Sequence, residues 1–205
     1  MEHIDVILYI NLEKRVDRKE HFLEEIVKLC DDPSKVVRVD AVYDSFGALG
    51  CTKSHVKALD LFLANDSWKT CAIFEDDFTF YEGSVEKNNA MIRRFFEGGF
   101  SWEVLLLATN QPKERPVPTE VEGVYKVFYT QTASGYILHK ESAHTLCSLF
   151  KESLCLLEVS RSAHHHAHDM YWNTAGLQWY CFQPNMGYQY AGMSDIEHGF
   201  VEYGC

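Results

Sequence analysis

Short apolar runs alternate with amphipathic segments along the first 110 residues of the chain. The apolar runs are rich in β-forming residues and predict buried strands, at 5–12, 35–41, 69–76 and 101–109. The segments between them predict helices, at 15–30, from a turn at 43–55 to about 65, and at 84–99. Strands interleaved with helices are typical of βαβ units, so we expect an α/β fold with a mostly parallel central sheet and helices on both faces.

The rest of the chain is expected to complete a single domain spanning 1–205. A proline-rich stretch at 111–120 predicts a loop, and it precedes a strand-like stretch at 124–139 and a helical one at 140–154. The portion from 158 to 205 is less regular and rich in aromatic residues, so we expect it to line a site.

Composition excludes some classes of protein. The net charge of −11 and the lack of a dense basic cluster argue against a nucleic-acid partner. No leader-like N-terminus and no run of ~18 apolar residues is present, which argues against a signal peptide or a transmembrane segment. The 7 cysteines are scattered, which indicates reduced thiols and a cytoplasmic location.

Three consecutive acids, Glu75, Asp76 and Asp77, end the third predicted strand. Asn11 ends the first strand and Thr109–Asn110 the fourth, so these polar groups are expected at one rim of a parallel sheet. Carboxylates are hard ligands suited to Mg²⁺ or Mn²⁺, which can bridge a diphosphate. Strand alternation places Glu75 and Asp77 on one face and turns Asp76 away, unless the strand has already ended. The alternative is a solvated turn.

Five segments together resemble glycosyltransferase family 25, in the family's order and at about its spacing. They are "VILYINLEKRVDRKEHF", "GALGCTKSH", "AIFEDDFTF", "TASGYILHKESAHTL" and "GMSDI". The resemblance spans about 5–198 and implies a GT-A type, Rossmann-like nucleotide-diphospho-sugar transferase fold. It also implies transfer of galactose or glucose from a UDP-sugar to a hydroxyl acceptor on a glycan, a lipooligosaccharide or a protein, with Mn²⁺ or Mg²⁺ and with inversion.

The resemblance assigns roles to the first and third of these segments. Asp77 is expected to be the first metal ligand, and Glu75 and Asp76 to bind the metal or the donor ribose. Asn11 is expected to contact the base or ribose of the nucleotide. Arg18 is expected to reach a phosphate, and its alternative is a solvated helix face.

The second segment matches the family at Gly47, Gly50, Ser54 and His55. The two glycines are expected to allow close backbone approach to the donor. Ser54 is expected to cap the following helix, with His55 inside its first turn. A purely structural helix start is the alternative for this segment, and a solvated helix face is our interpretation of Arg15.

Later residues complete the expected site. Asp169 matches an acidic position of the family and is our candidate general base, with a helix N-cap as the alternative. His198 is a candidate third metal ligand by analogy with other GT-A enzymes. His164 and His168 have the i,i+4 spacing of zinc ligands, but an exposed loop is the favoured interpretation of this histidine run.

Two other functional classes remain open from the sequence. One is a non-catalytic relative that binds sugars, nucleotides or partners. The other is a metal-dependent phosphohydrolase or nucleotidyltransferase, which also uses carboxylates at strand ends. The aromatic residues of the last portion either stack on sugars or belong to the core, namely Trp172, Trp179, Tyr188 and Tyr190.

Overall fold

The computed structural model of the chain describes residues 3–81, 85–110, 115–194 and 199–201. The strands are Val6–Asn11 (β1), Val36–Asp40 (β2), Thr70–Glu75 (β3), Phe78–Phe80 (β4), Val104–Leu106 (β5), Val117–Pro118 (β6), Val124–Val127 (β7), Gly135–His139 (β8), Trp179–Phe182 (β9), Gly187–Gln189 (β10), Gly192–Ser194 (β11) and Gly199–Val201 (β12). The α-helices are Val16–Ile26 (α1), Gly47–Ala64 (α2), Val85–Glu97 (α3), Lys140–Ser160 (α4), Ala163–His166 (α5) and His168–Tyr171 (α6). Short 3₁₀ helices occur at Pro33–Lys35 and Trp172–Thr174.

Within the described residues, eight strands form one central sheet in the order β2-β1-β3-β8-β5-β9-β7-β6. Strands β8 and β7 run against the other members of this sheet. Two small antiparallel pairs, β4 with β10 and β11 with β12, lie outside it. The expected α/β class, with a mostly parallel central sheet, is confirmed.

The two faces of the sheet are covered by different helices. Successive strand side chains point to opposite faces, so Leu8 of β1 packs in one core with Phe62 of α2 and Phe150 of α4. Tyr9 packs in the other core with Phe22 of α1, and α3 joins the same face. Helices therefore lie on both faces, as the alternating sequence predicts.

Helix α2 begins earlier than the sequence predicts. Residues 43–55 were expected to form a turn, whereas the helix starts at Gly47 and runs to Ala64. The glycine signal was misleading because Gly50 lies inside the helix, where a loop passes close to its backbone. A Cβ at this position would lie 2.6 Å from the carbonyl oxygen of Val42.

The strand-like stretch at 124–139 forms two separate strands. Its first part is β7 at the far side of the sheet, and its second part is β8, which enters antiparallel between β3 and β5. Thr132, between them, adopts a positive φ of 72°. Strands β3 and β5 end at the same edge of the sheet, as expected. Because β8 separates them, Thr109 does not lie beside the acids but is buried against Thr130.

The six described cysteines are all free thiols, as the scattered spacing predicts. Four of them are buried, namely Cys30, Cys71, Cys147 and Cys181. None of the helices in the described part of the chain is both long and apolar enough to cross a membrane.

Substitution of Gly50 by alanine tests the close contact between α2 and the loop at 41–46. Alanine favours a helix interior over glycine by about 1 kcal/mol, but its Cβ would lie 3.0 Å from the Asp44 nitrogen and closer still to Val42. Since overpacking costs ~1–3 kcal/mol, we expect a net loss of unfolding free energy in urea titrations. Gly176→Ala is the control, because a Cβ there meets nothing within 4 Å. A Gly50→Ala protein more stable than wild type would contradict the contact.

Candidate functional site

An open pocket lies at the carboxyl ends of β1, β2 and β3, beside the N-terminus of α2. The empty space in it is about 740 Å³, which includes open solvent at its mouth. Polar and charged groups of the lining come from several elements, namely Arg15, Arg18, Asp44, Cys51, Ser54, Glu75, Asp76, Asp77 and Gln189. Gly47 and Gly50 lie in the same wall. This is the rim at which open α/β sheets bind ligands.

The three acids all line this pocket because the strand ends before the last two. Strand β3 stops at Glu75, and Asp76 and Asp77 form the turn that leads into β4. Strand alternation therefore does not extend to these two residues. We call Glu75, Asp76 and Asp77 the acidic turn.

Asp76 is held by groups from β1 and α1. Asn11 donates from Nδ2 to Asp76 Oδ2 at 2.6 Å, and Arg18 donates to Asp76 Oδ1 at 3.2 Å. Asn11 is itself fixed, because Arg38 donates to its Oδ1 at 3.0 Å. With 1% of its surface exposed, Asn11 orients Asp76, whereas the sequence predicts that it contacts a nucleotide.

Asp77 has one paired and one unpaired carboxylate oxygen. Arg18 donates to its Oδ2 at 2.9 Å. Its Oδ1 is buried and has no hydrogen-bond partner among the described residues. Such an atom costs about 1–3 kcal/mol in an apo site, and a hard oxygen of this kind is a suitable ligand for Mg²⁺ or Mn²⁺.

Burial makes the acidic turn electrostatically costly. Burial, together with the charge of Glu75, raises the pKa of Asp77 to about 6, and the Arg18 charge opposes that rise. Burial and the neighbouring Asp77 likewise raise the pKa of Asp76 to about 6. Because one nearby guanidinium serves both aspartates, the pocket favours a further positive charge.

Glu75 lines the pocket and also contacts residues of α2 behind it. Its Oε1 lies 3.1 Å from His55 Nε2 and 3.3 Å from Cys51 Sγ. Its Oε2 accepts from Gln189 Nε2 at 3.2 Å. Burial raises the pKa of Glu75 above its ordinary value.

The second sequence segment has a different role from the expected one at two positions. Ser54 does not cap a helix, because it lies in the middle of α2, donates to Gly50 O and accepts from the Val42 N–H at 2.8 Å. His55 is likewise beyond the first turn and fully buried, and burial lowers its pKa to about 3. Its Nδ1 lies 3.0 Å from the Tyr136 hydroxyl.

Arg15 belongs to the pocket and not to a solvated helix face. It is the N-cap residue of α1, its side chain is 17% exposed, and it pairs with Asp17 at 2.8 Å. Tyr43 lies at the pocket mouth, where the Lys14 ammonium is 4.8 Å from its ring centroid.

Asp169 lies beyond Gln189, outside the pocket lining. Its Oδ2 accepts from the Thr132 N–H at 3.3 Å, and the Thr132 hydroxyl donates to Gln189 Oε1 at 2.7 Å. The N-cap alternative is wrong, because Ala167 occupies the N-cap of α6 and Asp169 lies in its first turn. Asp169 therefore connects to the pocket through Thr132 and Gln189.

The remaining sequence candidates separate into different environments. His198 lies outside the described residues. The helix is interrupted at Ala167, so His164 lies in α5 and His168 in α6, and the two do not share a helix face. His164 is exposed and His168 is buried. The two tryptophans, Trp172 and Trp179, are core residues with ring centroids 4.8 Å apart.

Tyr188 and Tyr190 lie nearer the surface than the tryptophans. Tyr190 is 54% exposed, and its backbone N–H donates to Asp77 O at 2.7 Å. Tyr188 lies 5.0 Å from the Tyr81 ring. Gln189, between the two tyrosines, reaches the acidic turn. It was missed from the sequence because the pairing of β10 with β4 brings it there, and no local motif indicates that pairing.

Comparison with solved structures gives a likeness that shows the fold. The fold is shared with A197 from STIV. That structure superposes with a TM-score of 0.52 over 97% of this chain and 93% of its own, at 12% identity. At this identity the likeness concerns the fold alone.

Two other solved structures superpose less well. Mannose-1-phosphate geranyltransferase from Thermus thermophilus has a TM-score of 0.48, 11% identity, and coverage of 86% of this chain and 72% of its own. A glycosyltransferase involved in the glycosylation of the major capsid of PBCV-1 has a TM-score of 0.43, 11% identity, and coverage of 76% of this chain and 66% of its own. No family model and no curated protein sequence matches the chain.

Replacement of Asp77 by asparagine is expected to stabilise the metal-free protein at high pH. Folding raises the pKa of Asp77 from 3.8 to about 6, so the unfolded chain binds fewer protons between these values. The free energy of unfolding therefore falls as the pH rises through that window and levels off above it. The stability of Asp77→Asn relative to wild type should thus be greater at about pH 8 than at about pH 4.5, by roughly 2 kcal/mol.

Urea unfolding in the presence of a chelator measures this difference. Asp31→Asn is the matched control, because the same change is made at an exposed acid away from the pocket. If Asp77→Asn changes stability equally at the two pH values, burial does not destabilise the ionised Asp77.

Proposed function

We propose that the protein is a glycosyltransferase that uses a nucleotide-diphospho-sugar donor and a divalent metal ion such as Mn²⁺. The observation that carries the proposal is the acidic turn, which is buried at the ligand-binding rim of an α/β sheet and retains an unpaired Asp77 oxygen. The resemblance of the quoted segments to glycosyltransferase family 25 supports a UDP-galactose or UDP-glucose donor and a hydroxyl acceptor on a glycan, lipooligosaccharide or protein.

Asp77 and Asp76 are the proposed oxygen ligands of the metal. Both are hard carboxylates. Arg18 holds one oxygen of each and Asn11 the other oxygen of Asp76, while Asp77 Oδ1 remains available. When bound, the ion supplies Lewis-acid stabilisation of the charge that develops on the leaving nucleoside diphosphate. Glu75 is shared between this pocket and the inner wall, since its Oε1 contacts His55 and Cys51.

The residues around the acidic turn fit the other parts of such a donor. Arg15 and Arg18 bring guanidinium groups to the pocket, where they can bind phosphate oxygens. Tyr43 presents an aromatic ring at the mouth, which suits stacking of a base. Ser54 and the backbone at Gly47 complete the wall that faces the donor.

Asp169 is the proposed general base on the acceptor side. Hydrogen bonds through Thr132 and Gln189 connect it to Glu75 of the acidic turn, which supports a role beside the proposed donor site. There a carboxylate can take the proton of an acceptor hydroxyl as the oxygen attacks the anomeric carbon, which leads to inversion in a single displacement.

The expected binding result separates this proposal from its alternatives. We expect UDP-galactose or UDP-glucose to bind the wild-type protein in isothermal titration calorimetry when Mn²⁺ is present. Asp77→Asn should weaken that binding at least tenfold, by about 1.4 kcal/mol or more, because it removes the charge of a metal ligand. Asp31→Asn should bind like wild type. Wild-type protein that binds no UDP-sugar with Mn²⁺ would overturn the proposal.

Turnover assays then distinguish catalysis from binding alone. A transferase releases UDP faster when an acceptor is added, and Asp169→Asn keeps donor binding but loses at least ~100-fold in rate. A protein that binds the donor but never turns it over is a non-catalytic relative. Release of inorganic phosphate or nucleotide from nucleoside phosphates, without any sugar acceptor, would instead indicate a phosphohydrolase or nucleotidyltransferase.

A further inference from the structure

Four side chains with different metal-binding atoms meet at the pocket wall, where Cys51 and Glu75 line the pocket and His55 and His168 lie behind them. Cys51 and His55 come from α2, Glu75 from the end of β3, and His168 from the start of α6. Their potential ligand atoms all lie within 4.8 Å of one another. We call these four residues the inner cluster.

His168 is the member of the inner cluster whose environment points to a ligand. Its Nδ1 lies 3.2 Å from the Thr52 hydroxyl, and that hydroxyl donates its hydrogen to Ala48 O at 2.8 Å. Nδ1 therefore carries the proton and donates to Thr52, which leaves the lone pair on Nε2. His168 is 4% exposed, and its Nε2 has no partner among the described residues.

An unpaired lone pair of this kind is costly without a ligand. A buried acceptor that lacks a donor costs about 1–3 kcal/mol. The ring of His168 is held by its own helix and by the nearby ring of His55, with centroids 4.3 Å apart. A metal ion bound to Nε2 offsets that cost without moving the ring.

The distances within the inner cluster are compatible with one shared ion. Zn²⁺ bonds of about 2.0–2.3 Å in a tetrahedron separate neighbouring ligand atoms by about 3.3–3.8 Å. In the structure, Glu75 Oε1 lies 3.3 Å from Cys51 Sγ and 3.1 Å from His55 Nε2. Small side-chain rotations are enough to place an ion between these atoms.

The chemistry of the donor atoms selects the type of ion. One thiolate, two imidazoles and one carboxylate form a mixed set that suits Zn²⁺, whereas Mg²⁺ and Mn²⁺ prefer oxygen ligands alone. Both imidazoles also have a second partner that fixes the ring, namely Tyr136 OH for His55 and Thr52 for His168. Such partners are typical of histidines that bind metal ions.

We propose that the inner cluster binds one Zn²⁺ ion in a closed, four-ligand site with a structural role. The ion joins α2, β3 and α6, and α6 is a helix of only four residues that has little stability of its own. Because Asp169 follows His168 directly, the ion also fixes the segment that carries the proposed base. The site itself does not depend on the proposed transferase activity.

Metal analysis of the purified protein tests this site. We expect about one zinc ion per chain after dialysis of wild-type protein that was supplied with Zn²⁺, measured by plasma mass spectrometry. His168→Gln and Cys51→Ser should retain less than about a tenth of that amount. The triple substitution His164→Gln, His165→Gln and His166→Gln is the control for adventitious binding, because these neighbours lie outside the cluster, and it should retain zinc fully.

Cobalt substitution gives a second test that uses only wild-type protein, so it does not depend on whether the substituted proteins fold. Co²⁺ in the wild-type site is expected to show thiolate-to-cobalt charge-transfer absorption, and bound metal should protect Cys51 from alkylation by iodoacetamide. Folded wild-type protein that takes up neither ion would overturn the proposal. So would zinc that is lost with the histidine run but kept in His168→Gln, since it would then bind only at the surface.

Discussion

Burial of the acidic turn at the end of β3 is the constraint on which the rest of the site depends. Asp76 and Asp77 are 7% and 8% exposed, and burial raises the pKa of both carboxyl groups to about 6. Arg18 pairs with both of them and Asn11 with one. Two carboxylates that share one such cation still favour a further positive charge, which is the physical reason to expect a bound cation there.

The two proposed metal sites differ in chemistry and meet at the pocket wall. On the open side lie the carboxylate oxygens of Asp76 and Asp77, which suit a hard ion that bridges phosphates. On the inner side lie the sulfur and imidazole groups of the inner cluster, which suit Zn²⁺. Glu75 stands at the boundary, because one of its oxygens contacts Gln189 and the other contacts His55. Helix α2 contributes residues to both sides, so its packing controls both proposed sites.

Several features of the fold could be predicted from local sequence pattern. Strands β1 and β3 were predictable from compact apolar runs, and the proximity of Asn11 to the acids follows because the carboxyl ends of parallel neighbours coincide. The insertion of β8 between β3 and β5 was not predictable, because strand order is decided by long-range packing that leaves no local signal. The inner cluster was missed for the same reason, since His168 lies 116 residues from its partner Thr52. The predicted start of α2 was wrong because Gly50 resembles a turn residue, whereas it allows a loop to pack closely against the helix backbone.

The most direct test of the central claim is anomalous diffraction from crystals grown with Mn²⁺ and UDP. Data collected on both sides of the manganese absorption edge locate the ion independently of the protein atoms. The account predicts a manganese peak within bonding distance of Asp77 Oδ1, about 2.0–2.6 Å as for other hard divalent cations, with the diphosphate on its other side and Arg18 nearby. UDP bound away from the acidic turn, or a manganese peak that does not contact Asp77, would contradict it.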